Sequence, residues 1–349
     1  MKQIVVGTRA SKLALIQAQA MVERLRQLWP DLSITVKHIR TRGDRITDVP
    51  ITQAGGDGIF ITEIEEALQK GHIDLAVHSL KDLPTAQPEG LQLVVTGPRE
   101  DARDVLISRG TTAVSELLEQ PATIRIGTCS LRRMAQIRAL YPGVEILPLR
   151  GNVDTRLRKL DAGDYDAIVL AAAGLHRLGL QERLEGRLTY LPLEVMMPAP
   201  GQGALGLEIR DEAEMQALVA PLCDSLTQAA TLAERTFMRR LGAGCLLPVA
   251  AYGEIVGEEL SLMGLVISMD GQRQVRVQQS IVWTAHTPRF ARPSINRGLL
   301  TNAENRGLLT NAENRGLLAN AEQLGTRLAE RALDQGADDI IRHMDAGRS

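Results

Sequence analysis

Apolar positions in the first forty residues change period twice. Ile4, Val5 and Val6 form a continuous apolar run, Leu13, Ile16, Ala20 and Leu28 fall on helical spacing, and residues 34–39 alternate like a half-buried strand. The pattern predicts β-α-β, with Ser11 capping the helix. The glycine-rich Gly55-Gly56-Asp57-Gly58 then precedes a second helical pattern. In it Ile61, Ile64 and Leu68 share a face, Thr62 and Glu65 are spaced as a capping box, and Gly71 marks the end. A strand over residues 73–79 follows at once and runs into Lys81-Asp82-Leu83, stopped by Pro84. Short helices alternating with strands predict a mostly parallel sheet.

Polar residues 97–104 read as a crossing to a second unit of similar layout. Its strands are predicted at 124–127, 144–148 and 167–170, with helices starting near Ser130 and Val153. Two such units enclose a cleft, and the Pro- and Gly-rich residues 191–203 return the chain across it. From about Pro221 the pattern changes to a helix over 227–241, the loop Gly242-Ala-Gly-Cys-Leu-Leu-Pro248, and strands over 250–255, 260–269 and 274–283. The expected fold class is therefore α/β with three domains, two of them flanking a cleft and a small C-terminal α+β domain. The expected domains are 1–98 with 196–218, then 99–195, then 219–349.

One segment fits none of these patterns. Asn296-Arg-Gly-Leu-Leu-Thr-Asn-Ala-Glu304 recurs at 305–313 and 314–322, with Ala319 in place of Thr in the last copy. A nine-residue step in a straight helix turns about 900°, which sends successive Leu-Leu pairs to opposite sides. A surface insertion with transient helical turns is expected across 296–322.

Composition narrows the function. With 349 residues at 38.0 kDa, 44% apolar and 23% charged, the chain has an ordinary globular make-up, and its net charge of -2 gives no general attraction to nucleic acid. No apolar run reaches membrane-spanning length. The start enters a strand immediately without a signal-peptide pattern, so a cytoplasmic enzyme is expected. Three cysteines, Cys129, Cys223 and Cys245, are too scattered for a disulfide framework, and the six histidines lack close ligand spacing, so no metal is expected. Only six of the 40 basic residues are lysine, which leaves arginine forks suited to carboxylate or phosphate.

Those arginines gather at strand-to-helix junctions. Thr8-Arg9-Ala10-Ser11, Gly127-Thr-Cys-Ser-Leu-Arg-Arg133 and Leu149-Arg-Gly-Asn-Val-Asp-Thr-Arg156 each combine guanidiniums with helix N-terminal N–H groups, and together they predict anion binding. No complete phosphate-loop or dinucleotide fingerprint is present. Amid these cations Asp82 is the candidate acid, base or cation stabiliser. Read by itself, Lys81-Asp82 equally fits a salt-bridged strand end. Cys245, in its glycine-flanked loop, is the candidate nucleophile, and Cys129 near a helix start is its rival. A buried inert thiol fits Cys245 as well.

In these ordered motifs the chain resembles the porphobilinogen deaminase family, also called hydroxymethylbilane synthases. The resemblance rests on Val6-Gly-Thr-Arg-Ala-Ser-Lys-Leu-Ala-Leu15, His78-Ser-Leu-Lys-Asp-Leu-Pro84, Thr128-Cys-Ser-Leu-Arg-Arg133, Arg150-Gly-Asn152, Pro200-Gly-Gln-Gly-Ala204 and the cysteine loop. It covers almost everything except the repeats. The resemblance implies two periplasmic-binding-protein-like domains and a third presenting Cys245, which holds a dipyrromethane cofactor by a thioether. It implies that four porphobilinogens are deaminated and joined head to tail on that primer, and that water then releases linear hydroxymethylbilane and ammonia. Carried over to this sequence, Asp82 is catalytic. Cys245, Lys81, Ser79, Thr128, Ser130, Arg132, Arg133 and Asn152 are cofactor-binding, while Arg9, Ser11, Arg150, Arg156 and Arg177 hold the carboxylates of the substrate and growing polypyrrole chain. The family analogy further implies a monomer whose product passes to uroporphyrinogen-III synthase, with no nucleic-acid or membrane partner. The rival from another class is a non-catalytic anion-binding module of the periplasmic-binding-protein type.

One departure from the family pattern concerns the glycine loop, where many members carry lysines and this chain has Asp57 and Thr62. Altered closure over the cleft is expected. Asp57→Lys, assayed for turnover and its salt dependence, tests this, and no change in either removes the electrostatic role.

Overall fold

The computed structural model describes residues 3–45, 61–110, 124–242, 247–283 and 311–346. Strand β1 (Gln3–Thr8) is followed by the helix Lys12–Leu28, β2 (Ser33–His38), the helix Thr62–Gln69, β3 (Leu75–Ser79) and β4 (Leu91–Thr96). Ser11 is the cap of the first helix, its Oγ accepting from Ala14 N at 3.4 Å. That helix buries Ala18, Met21, Val22 and Leu25 against Ile4, Val6, Leu75 and Val77 of the sheet. The second helix starts differently from expectation. Ile61 is its cap and no side chain closes it, so Thr62 and Glu65 form no capping box; Ile61 is instead buried among Leu80, Leu83 and Val95.

A second sheet begins with β5 (Asp104–Ser108), β6 (Arg125–Gly127), β7 (Glu145–Leu147), β8 (Ala167–Ala171) and β9 (Leu188–Tyr190), carrying the helices Leu131–Leu140, Val153–Asp161 and Ala172–Arg177. The chain then returns as β10 (Leu205–Arg210), which enters the first sheet between β3 and β4. The two sheet orders are β2-β1-β3-β10-β4 and β7-β6-β8-β5-β9. Each sheet is mostly parallel, as expected, with four of its five strands in one direction and one running against them. Strands β1, β2 and β3 run parallel, as do β6, β7 and β8, while β10 and β5 are antiparallel to their neighbours. The reason is connectivity: β5 and β10 arrive along crossovers from the other sheet, not through a strand-helix-strand turn that would force parallel pairing.

The third unit joins the helix Ser225–Arg240 to an antiparallel sheet of β11 (Val249–Val256), β12 (Glu259–Ile267) and β13 (Gln274–Val282). Asp224 caps this helix by accepting from Thr227 N at 2.9 Å, and Phe237 sits fully buried between helix and sheet. The helix Asn311–Asp334 completes that core. This corrects the expectation of a surface insertion for the third repeat copy, residues 314–322, which is helical. Leu317 and Ala321 are buried there, and the same stripe continues through Leu324 and Leu328. The phase argument fails because a single copy needs only its own i, i+4 spacing, which the unique sequence after it extends. The first copy and most of the second lie outside the described residues.

Candidate active site

Every sequence-predicted arginine lies beyond the carboxyl end of a parallel strand, where open α/β sheets collect ligands. Arg9 follows β1, Lys81 and Asp82 follow β3, Arg132 and Arg133 follow β6, Arg150 and Arg156 follow β7, and Arg177 follows β8.

The turn Leu80–Asp82 explains why Asp82 faces outward. It is a single turn of 3₁₀ helix, so residues three apart share a side. Leu80 and Leu83 are both fully buried against Ile61, Val95 and Ala204, and Leu80 N donates to Ala204 O at 3.0 Å. Asp82, on the other side, is exposed, and among the described residues its carboxylate has no hydrogen-bond or salt-bridge partner. Lys81 does not supply one. Its Nζ, partly buried, donates to Gln202 Oε1 at 3.2 Å. Burial pushes the Lys81 ammonium down to about 8, helped by Arg133 and Arg132 and opposed by Asp82 and Asp104.

Gln202 continues the chain of contacts. Its Nε2 donates to Asp104 Oδ1 at 2.9 Å and to Ala102 O at 2.7 Å. Asp104 is fully buried and pairs with Arg132 Nη1 at 2.8 Å and Arg133 Nη2 at 2.6 Å. Burial alone would raise the Asp104 pKa, but the two guanidiniums overcome it and hold the carboxyl well below its ordinary range. Both arginines are buried, and they also donate to the backbone: Arg132 to Met197 O at 2.6 Å, Arg133 to Val169 O at 2.9 Å. Each keeps a buried Nε–H with no hydrogen-bond partner among the described residues. Two guanidiniums on one carboxylate leave the cluster cationic, which suits it to a polycarboxylate.

Arg156 reports how the two sheets face each other. Burial lowers its pKa first, then Arg133 and Arg150, while Cys129 and Asp82 act in the opposite sense. Asp82 from the first sheet thus shares an electrostatic neighbourhood with Arg133, Arg150, Arg156 and Cys129 from the second. Arg156 Nε donates to Gly151 O at 2.7 Å, fixing the guanidinium against its own loop. Arg177, its charged form disfavoured by burial, donates to Gly203 O at 2.6 Å and so fastens the second unit to the returning crossover. Gly203 has a φ of +90°, a conformation that a side chain would strain. Arg9 and Arg150 are partly buried and both have partners.

The smaller residues shape the loops. Asn152 caps its helix by accepting from Thr155 N at 2.9 Å, and Ser130 N donates to the buried Thr128 Oγ1 at 3.2 Å. Ser130 heads the helix Leu131–Leu140 without a side-chain capping bond. Ser79 Oγ is engaged by the buried Gln17 Nε2 at 3.1 Å. Cys129 is a partly buried free thiol, whereas burial and then Asp224 push the Cys223 thiol up to about 11, an inert position. Cys245 and Asp57 lie outside the described residues.

Four residues of consequence are not among the candidates read from sequence. Asp104 and Gln202 organise the cationic cluster, and Glu234 with Arg99 ties the crossovers to the third unit. Gln202 had a signal, since it lies inside the motif Pro200-Gly-Gln-Gly-Ala204. Asp104 had none, because a buried carboxylate reads like any exposed one until its partners are known.

Comparison with known proteins bears on what this cleft belongs to. The family model described as "Porphobilinogen deaminase, dipyromethane cofactor binding domain" matches residues 4–217, and "Porphobilinogen deaminase, C-terminal domain" matches residues 228–287. The chain belongs to the porphobilinogen deaminase family. Among curated porphobilinogen deaminases, that of Syntrophotalea carbinolica is 50% identical over 268 residues, covering 76% of this chain and 83% of the relative. That of Macrococcus caseolyticus is 47% identical over 281 residues, covering 80% and 90%. That of Laribacter hongkongensis is 43% identical over 342 residues and covers 98% of both chains. The donor set fits the group for which the family's first domain is named: forked cations, a lysine and two buried N–H groups without partners among the described residues suit the carboxylates of a dipyrromethane.

Proposed function

We propose that the chain is a hydroxymethylbilane synthase. It deaminates four porphobilinogens, joins them head to tail on a dipyrromethane held covalently through Cys245, and releases linear hydroxymethylbilane and ammonia with water. The observation that carries this reading is the Asp82 carboxylate, without a hydrogen-bond or salt-bridge partner among the described residues and standing at a strand end in an arginine-rich electrostatic neighbourhood. A module that only binds anions gains nothing from a bare carboxylate there, since like charge opposes the ligand. A reaction that passes through positive charge does gain.

In this reading Asp82 handles protons at the substrate. It assists protonation of the departing aminomethyl nitrogen, so the C–N bond breaks with its electron pair leaving as ammonia. Its carboxylate then faces the positive charge left on the substrate pyrrole, and it accepts the ring proton lost when the new C–C bond is complete. The dipyrromethane, when bound, supplies the pyrrole carbon on which growth starts. Lys81, Arg132 and Arg133 hold acetate and propionate groups close to the first sheet, while Arg9, Arg150 and Arg156 receive the incoming ring. Thr128, Ser130 and Asn152 shape the helix starts whose N–H groups add to this field.

Intact-protein mass spectrometry tests the covalent part. The expected mass excess is two linked pyrrole units, lost in Cys245→Ser; an active wild-type enzyme without that excess overturns the assignment. Ammonia release measured against porphobilinogen consumed tests the reaction itself, and reversible binding without ammonia favours the binding-module reading.

A further inference from the structure

The two peptide groups that follow Asp82 are held from the third unit. Arg235, on the helix Ser225–Arg240, donates from Nη1 to Leu83 O at 3.0 Å and from Nη2 to Pro84 O at 2.6 Å. Arg235 is only 7% exposed; its bond to Leu83 O is buried and that to Pro84 O partly buried. The 3₁₀ turn closes with Leu83 N donating to Leu80 O at 3.2 Å, and Pro84 has no N–H with which to extend it. Residues 83 and 84 belong to no strand. Their carbonyls are therefore oriented by the arginine, whose planar fork fixes direction as well as distance.

Its neighbour on the helix makes the arrangement more than a local tie. Glu234 grips Arg99 and Gly201, one from each crossover between the sheets. Adjacent residues of one helix thus hold the crossovers and the turn that carries Asp82.

We propose that Arg235 is a positioning residue for the reaction: by fastening the Leu83 and Pro84 carbonyls to the third unit, it sets where the Asp82 carboxylate stands. The proposal rests on the function given above. In this role Arg235 acts through the carbonyls of Leu83 and Pro84, which follow Asp82 in the chain.

The test uses the full chain with Arg235→Lys, Arg235→Met, Asp82→Asn and the combination of Arg235→Lys with Asp82→Asn. Turnover of porphobilinogen, thermal midpoint and hydrogen exchange of the segment 80–84 without substrate are measured on each. A displacement of about 1 Å at a reacting group costs up to ~10²-fold in rate. Arg235→Lys is expected to stay folded, lose roughly 10- to 100-fold in kcat with KM within about twofold, and exchange faster at 80–84. In the Asp82→Asn background the same change is expected to add less than about twofold, because its effect passes through the carboxylate. Wild-type kcat in folded Arg235→Lys and Arg235→Met overturns the proposal, and so does an equal loss with and without Asp82. If Arg235→Met does not fold, the lysine variant decides. If Asp82→Asn turns over like wild type, the function assigned to Asp82 fails instead, and exchange at 80–84 still reports whether Arg235 holds the turn.

Discussion

Glu234 meets Arg99 as a bidentate pair, Oε1 to Nη1 at 2.6 Å and Oε2 to Nη2 at 3.2 Å, and the same two oxygens accept the N–H groups of Gly253 at 2.7 Å and Gly201 at 2.6 Å. Arg99 also donates to Gln202 O at 2.8 Å and lies 5.0 Å from the Tyr252 ring. One buried carboxylate therefore joins both crossovers to the third sheet. Removing one member of a buried pair leaves the other charge uncompensated and costs on the order of 3–5 kcal/mol. Glu234→Ala is expected to show a loss of that size in urea denaturation, with the unfolding curves of the sheets separating as their common tie is lost.

Lys81 predicts a pH dependence whose sign differs from that of an ordinary ion pair. Its ordinary value of 10.5 falls to about 8 in the fold, so the folded state disfavours the ammonium. The destabilisation is fully present below pH 8 and is relieved as pH rises from 8 toward 10.5, because the unfolded chain then holds the proton more tightly than the folded one. Lys81→Met is expected to raise the denaturation midpoint at about pH 7 more than at about pH 10. Turnover should respond in the opposite direction. Only the ammonium attracts carboxylate, so kcat/KM falls as pH rises through about 8, and Lys81→Arg moves that limb upward.

Asp104 pairs with two buried guanidiniums, and Asp104→Asn leaves both without their carboxylate. The expected cost is again about 3–5 kcal/mol. Its depressed pKa means that its contribution is present above the ordinary carboxylate range and is lost only as the pH falls well below it. Acid titration of fluorescence in wild type and Asp104→Asn checks this, with wild type losing stability on acidification over a range where the variant is flat.

Residues 314–322 carry a measurable share of the third core. Leu317 and Ala321 are buried in it, so Leu317→Ala is expected to cost roughly 2–5 kcal/mol by calorimetry. Deleting 296–322 removes both residues and is expected to destabilise the third unit by at least as much. A deletion without thermal effect contradicts the packing described.

Much of this was legible in the sequence because it depended on local rules. Ser11 reads as a helix cap from its place before a periodic apolar run, and it accepts from Ala14 N as a cap does. The arginine clusters read as anion sites because they follow strand patterns. What escaped depended on partners distant in sequence. Lys81 beside Asp82 suggested a salt bridge, yet Lys81 turns to Gln202, 121 residues away. Arg132 and Arg133 read as anion-binding residues, but their burial depends on Asp104 and the carbonyls of Met197 and Val169. Thr62 and Glu65 matched a capping pattern, but the burial of Ile61 moved the helix start.

The place of β10 between β3 and β4 has a consequence for how the chain is made. On a ribosome, residues 75–96 emerge with their two strands facing a gap that only residues 205–210 can fill. The whole second sheet is synthesised before that filler appears, so the first sheet spends this interval with two unpaired edges. A nascent chain halted before residue 205 is the species most exposed to edge-to-edge aggregation, and a chaperone that covers β3 and β4 would act in that window.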